Sequence, residues 1–179
     1  MEMKGRIFAM ALLHETLYRS GKFAQVNLAS YLRQVAMQLF RIQNPAPGIV
    51  GIELDLEPNE VEIEQAIPCG LIVNELLTNS LKYAFPDGRP GVVRLTLQGA
   101  DDKRIRLQVA DNGVGLPANF DLAVNSSLGL HLVTDLVQQL QGQWTIDRGP
   151  GTCFTVVFAG KSGHSAHPLP DVPGSTPAS

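Results

Sequence analysis

The sequence predicts an α+β fold. Apolar residues recur at helical spacing in four segments, and apolar–polar alternation marks five shorter ones. Four of those five form two pairs joined by tight polar turns, the pattern of antiparallel hairpins. With 179 residues, 44% hydrophobic and 17% charged, the chain can bury one sizeable core with residues left over. A net charge of −3 gives no reason to expect nucleic acid as a partner. The longest apolar runs, such as 9–13 and 69–73, are far too short to cross a bilayer. Met1-Glu2-Met3-Lys4 leads into an amphipathic pattern, not the apolar stretch of a signal peptide. Cys69 and Cys153 stand in apolar settings without metal-ligand spacing, as buried free thiols do in a reducing compartment. The cytoplasm is therefore the expected location.

Taken in order, Ile7, Met10, Ala11, His14, Leu17 and Tyr18 place a helix over 3–20, ended by Ser20-Gly21. It begins without a cap, as the remaining half of a longer hairpin would. A second helix follows its N-cap Asn27, with Leu28, Leu32, Val35, Leu39 and Phe40 on its apolar face. Asn44-Pro45-Ala46-Pro47-Gly48 breaks it. Ile52, Leu54 and Leu56 alternate with Glu53, Asp55 and Glu57, a strand with one wet face. A third helix starts near 63–65, with Pro68 read as a tolerated first-turn proline, and runs to Ala84. Phe85-Pro86-Asp87-Gly88 stops it. Strands at 92–98 and 104–110 form a hairpin across 99–103. A helix over 130–140, closed by Gly142, precedes a hairpin of 143–147 with 152–158 across Arg148-Gly149-Pro150-Gly151. From Lys161 the chain is rich in Gly, Ser, Pro and His, and the composition predicts disorder.

The third helix organises the chemistry. Glu75, Asn79 and Lys82 recur at spacings of four and three and share one face, opposite Leu76, Leu77, Leu81 and Ala84. An amide oxygen is a hard ligand suited to magnesium, and an ammonium suits phosphate. The same stripe also reads as a solvated face with one i,i+3 pair. Asp111 stands at the exit of an apolar strand, where a carboxylate is costly unless a donor meets it. Gly113 and Gly115 let the backbone turn sharply and a flat ligand approach. An ionised Asp accepts and cannot donate, so it suits the exocyclic amine of adenine and repels the carbonyl of guanine. Alone, Asp111 is equally an ordinary turn after a strand. Gly129 opens a helix, and the free N–H groups there are a natural phosphate site. The segment 116–126 between the glycine clusters is the expected mobile lid. Thr152 is either a turn residue or a hydroxyl lining an adenine pocket.

The ordered set Glu75…Asn79…Lys82, Asp111-x-Gly113-x-Gly115, Gly129-Leu130 and Gly151-Thr152 resembles the ATP-binding domain of sensor histidine kinases. These share a superfamily with DNA gyrase B, MutL and the ninety-kilodalton heat-shock chaperone. The resemblance covers roughly 27–159. Ala84-Phe85-Pro86-Asp87-Gly88 and Leu13-His14-Glu15-x-Leu17-Tyr18 resemble the subfamily with the HisKA_2 dimerisation domain. It implies a two-layer α/β sandwich, a Bergerat-type fold with a mixed sheet of about five strands and helices on one face. It also divides the chain into a remnant of the phosphoacceptor hairpin (1–21), the ATP-binding catalytic domain (22–160) and a tail (161–179). By the same resemblance, ATP and magnesium are the cofactors. Asn79 ligates the metal with Asn74 nearby, and Glu75 orients a proton acceptor or water. Lys82 contacts phosphate, Asp111 binds the adenine amine, Gly113, Gly115, Gly129 and Leu130 shape pocket and lid, and Thr152 lines the adenine site.

The implied partners are a phosphoacceptor histidine helix, a response-regulator receiver domain and a second copy of the chain. His14-Glu15 is a tempting acceptor, because an adjacent acid can act as base toward imidazole. In the subfamily resembled, the acceptor lies on an earlier helix of the hairpin, so His14 is expected to pack within its helix and the acceptor to lie outside this chain. His131 is expected on a solvated helix position, and His164 and His167 in the tail. Three rival functions share the fold: a nucleotide-binding regulatory module without catalysis, a serine kinase of the anti-sigma-factor type, and an ATPase of the gyrase or MutL type. Intact Glu75, Asn79 and Lys82 argue against the first. The His14 helix weighs against the second, and the third needs transducer domains not seen in this chain.

Overall fold

The computed structural model describes residues 25–44, 48–100, 103–117 and 128–160. The helix expected over 3–20 with His14, most of the expected lid, and the tail with His164 and His167 lie outside the described residues.

A short strand β1 (Gln25–Asn27) leads into helix α1 (Leu28–Gln43). Asn27 caps it as expected, its Oδ1 accepting the Ser30 N–H at 2.9 Å. Strand β2 (Val50–Leu56) follows, then β3 (Glu60–Glu62), which pairs antiparallel with β1. That small pair is absent from the sequence reading, because strands of three residues carry too little alternation to be seen. Helix α2 (Ile63–Tyr83) begins directly after β3. Pro68 is not in its first turn but inside it, where it removes the bond to the Glu64 carbonyl. A 3₁₀ turn at Pro86–Gly88 ends the helical run. Strands β4 (Gly91–Ala100) and β5 (Arg104–Asp111), helix α3 (Leu128–Gln139), and strands β6 (Gln143–Asp147) and β7 (Thr152–Ala159) complete the order.

The main sheet has the order β2-β4-β5-β7-β6. Only β2 and β4 run parallel, because α2 provides the crossover between them, while the other neighbours are antiparallel. The expected mixed five-stranded sheet is therefore what forms. Val93, Leu95, Leu97, Ile105, Leu107, Val109, Phe154, Val156 and Phe158 alternate onto the buried face, beneath the helices. The other face is polar and carries Arg94 hydrogen-bonded to Glu53 across β2 and β4. Cys153 lies on this second face, half-buried beside Thr155, whereas Cys69 is fully buried in α2 as expected, and both are free. Helix α1 packs on α2, where Tyr31 lies against Gly70. Burial raises the Cys69 thiol well above its ordinary range, and raises the Tyr31 phenol likewise, with Cys69 as the lesser cause.

Candidate nucleotide site

The stripe on α2 is graded by burial. Asn74 and Glu75 are each 2% exposed, Asn79 is half-buried and Lys82 is exposed. The stripe thus runs from the core out to the helix C-terminus, where an ammonium also complements the helix dipole. This differs from a solvated face: a carboxylate so deep must be held by donors. Asn74 supplies one, its Nδ2 donating to Glu75 Oε1 at 3.1 Å.

Asp111 ends β5 beside the next turn of α2. Its Oδ2 accepts from Ser80 Oγ at 3.0 Å and its Oδ1 from the Gly113 backbone N–H at 3.0 Å. Both carboxylate oxygens are therefore engaged from the protein side. Two glycines allow this approach. A Cβ on Gly113 would lie 2.2 Å from the Ala84 carbonyl oxygen, and the next residue, Val114, donates its N–H to that same oxygen at 2.9 Å. A Cβ on Gly151, which has φ +108°, would lie 1.9 Å from the Asp111 carbonyl oxygen. The first ties the loop after β5 to the end of α2. The second lets β7 start beside Asp111, so that buried Thr152 faces it in register.

These elements enclose a cavity of about 430 Å³, within the range of small-molecule sites. Asn79, Ser80, Asp111, Gly115, Leu130 and Thr152 contribute to its wall, together with apolar side chains from the α2 end and the loop after β5. Five of the residues singled out in the sequence thus meet there: Asn79, Asp111, Gly115, Leu130 and Thr152. Gly113 lies buried beneath the wall, Gly129 is buried at the start of α3, and Lys82 stands outside the lining. Asn74 and Glu75 sit behind the wall in the core. Leu130, in the first turn of α3, contributes to the cavity wall, so the positive end of that helix dipole lies beside the cavity. His131 is exposed on α3.

Sequence reasoning missed Ser80. A serine within a leucine-rich helix gives no periodic signal, and its partner is 31 residues away. Its position beside Asn79 was the only available clue.

A metal fits the wall only in one form. No cluster of three or more His, Cys, Asp or Glu stands ready for a cation among the described residues. Asn79, whose side chain carries one amide oxygen, contributes to the cavity wall. That donor set suits magnesium, which keeps waters and is shared with phosphate oxygens rather than caged by protein. Among the described residues no helix is long and apolar enough to cross a membrane.

Comparison with known proteins agrees with the motifs. The family described as histidine kinase-, DNA gyrase B- and HSP90-like ATPase matches residues 64–161, and the HisKA_2 histidine kinase family matches residues 1–43. The chain is 30% identical over 148 residues to blue-light-activated histidine kinase 2 of Erythrobacter litoralis, covering 80% of this chain and 42% of that protein. It is 28% identical over 144 residues to the sensor histidine kinase PdtaS of Mycobacterium tuberculosis, covering 76% of this chain and 27% of that one. The chain therefore spans well under half the length of these curated relatives. A solved histidine kinase domain of the Erythrobacter litoralis EL346 blue-light-activated kinase superposes with a TM-score of 0.81 at 29% identity, over 88% of this chain and 74% of that domain.

Proposed function

The chain belongs to the histidine kinase-, DNA gyrase B- and HSP90-like ATPase family, and on that premise we propose that it is the ATP-binding catalytic part of a cytoplasmic two-component sensor histidine kinase. It transfers the γ-phosphoryl group of ATP to a histidine on a helical hairpin, for relay to the receiver domain of a response regulator. The observation that carries the reading is Asp111 at the wall of the cavity, its carboxylate oriented by the Ser80 hydroxyl and the Gly113 N–H, so that this side chain offers only acceptor lone pairs to a bound base. Adenine presents an amine where guanine presents a carbonyl, so such a wall favours ATP over GTP.

Each residue then has a task. Asp111 and Thr152 receive the base, and the glycines at 113 and 115 let it approach. The N–H groups opening α3 near Gly129 and Leu130, together with the Lys82 ammonium, bind phosphates. Asn79 would hold magnesium, which when bound neutralises charge on the transferring phosphoryl group. Glu75, fixed by Asn74 behind the wall, orients a proton acceptor or a water. Pairing with a second copy would run through the phosphoacceptor hairpin, with the acceptor histidine on a helix other than that of His14.

The test is incubation with γ-labelled Mg·ATP, alone and with a phosphoacceptor hairpin added, with calorimetric titration of ATP and GTP in parallel. Expected are preferential ATP binding and an acid-labile, alkali-stable label on the added hairpin. Absence of nucleotide binding refutes the reading. Label on a serine refutes the histidine acceptor, and label lost in His14→Ala would make His14 the acceptor.

A further inference from the structure

We propose that Ser80 is a positioning residue that sets base specificity through Asp111, an inference that rests on the nucleotide reading and deepens it. Ser80 is 6% exposed, and the part that remains accessible contributes to the cavity wall. Its Oγ–H donates to Asp111 Oδ2 at 3.0 Å, while the Gly113 N–H takes Oδ1. Two donors on two different oxygens fix the carboxylate plane from both ends. A carboxylate held by one donor alone can rotate about its Cβ–Cγ bond, since that terminal torsion is broad.

The second consequence concerns the hydroxyl itself. Once its hydrogen is committed to Asp111, the Ser80 oxygen has only lone pairs left to offer. Hydroxyl and carboxylate then form one continuous acceptor surface at the cavity wall. A base presenting N–H groups is accommodated there, and a base presenting a carbonyl meets acceptors on both atoms. Were Asp111 absent, the same hydroxyl could turn and donate. Specificity therefore belongs to the pair, with helix α2 supplying one half and strand β5 the other. The residue just before Ser80 is Asn79, so one turn of α2 would serve both the base and the phosphate–metal end of the nucleotide.

Ser80→Ala tests this without endangering the fold, because alanine is the better helix former and Asp111 lies where water can reach it. Affinities for ATP and for purine riboside triphosphate, which lacks the exocyclic amine, are measured on wild type and variant by displacement of a fluorescent nucleotide. The expected result is a loss of about tenfold for ATP, the scale of one hydrogen bond to a charged group, and of less than about twofold for the amine-free nucleotide. Equal losses for both nucleotides would mean that Ser80 merely packs the wall, and no loss for ATP would mean that Asp111 needs no help; either overturns the proposal. A wild type that binds neither nucleotide would instead sink the ATP reading on which this rests, so the two failures are distinguishable.

Discussion

Asp111→Asn replaces one oxygen by an NH₂ group and should separate binding from folding. The Asp111 side chain accepts one bond from Gly113 and one from Ser80. An asparagine can keep its amide oxygen on the Gly113 N–H and turn its NH₂ toward Ser80 Oγ. The serine hydroxyl rotates freely, so it can accept there instead of donating. The fold therefore exchanges two charge-assisted bonds for two neutral ones, at a cost of about 1–2 kcal/mol. The cavity suffers more. It loses the charged acceptor for the adenine amine, about 1.5–3 kcal/mol, and gains an N–H facing that amine, about 1–3 kcal/mol of unsatisfied donor. The sum, about 2.5–6 kcal/mol, corresponds to a loss of roughly two to four orders of magnitude in ATP affinity. Inosine triphosphate, which carries a carbonyl in place of the amine, should lose much less, so the preference narrows or reverses. Calorimetric titration of both nucleotides, with a thermal melt as control, reads the outcome. A melting temperature within a few degrees of wild type and ATP binding lost beyond detection is the expected pair. ATP affinity within threefold of wild type would refute the assignment of Asp111 to the base.

Two further predictions concern the helix pair behind the site. Gly70→Ala puts a Cβ 2.1 Å from the Tyr31 hydroxyl oxygen and 2.7 Å from its ring, in a place where the ring is 1% exposed and cannot move aside. Overpacking of about 2–3 kcal/mol should exceed the roughly 1 kcal/mol that alanine gains in a helix, lowering the melting temperature by about 2–8 °C; an unchanged or raised value would refute this. The second concerns alkaline pH. Cys69 and Tyr31, with ordinary values of 9.0 and 10.0, are both raised by burial, so the unfolded chain loses these protons first. Stability from this source is complete below pH 9.0 and falls as pH rises beyond it, by up to about 1.4 kcal/mol per pH unit for each group. Urea unfolding at pH 8, 9.5 and 10.5, on wild type and Cys69→Ala, should show a shallower fall in the variant; identical slopes would refute the assignment.

The sequence made the local signals plain and the long-range ones invisible. Asn27 announced α1 by its chemistry, since a side-chain amide before a run of helix formers has one obvious partner three residues on. Asp111, Gly113 and Gly115 announced a tight turn, because only glycine fits a backbone that close to the Ala84 carbonyl. Nothing local says that Gln25–Asn27 pairs with Glu60–Glu62, or that Ser80 meets Asp111. Those contacts exist only once β5 and α2 lie side by side. Pro68 misled for a related reason. The expected start near 63–65 was right, but β3 runs directly into α2 and fixes it at Ile63, so Pro68 stands five residues in, past the first turn. The helix tolerates the lost bond because tertiary burial around it dominates: Ala66, Cys69 and Ile72 are all fully buried.

The same reasoning explains why the polar stripe of α2 reads so ambiguously from sequence. Exposure was the economical interpretation of Glu75, since a lone carboxylate rarely goes inside. Yet Asn74, Glu75 and Thr78 are all at most 3% exposed. Asn74 Oδ1 and Thr78 Oγ1 make no hydrogen bond to any described residue. Each such atom costs about 1–3 kcal/mol, and an apolar side chain of similar size at either position would remove that cost. A helix selected for folding alone has no use for them. Their depth makes sense if the core side of the stripe exists to hold Glu75 rigid behind the wall to which Asn79 contributes. Thr78→Val should then leave stability unchanged or raise it. Asn74→Leu, which also strips the buried Glu75 carboxylate of its 3.1 Å donor, should lower stability and depress phosphotransfer at saturating ATP. A variant as active as wild type would show that Asn74 is there for reasons other than catalysis.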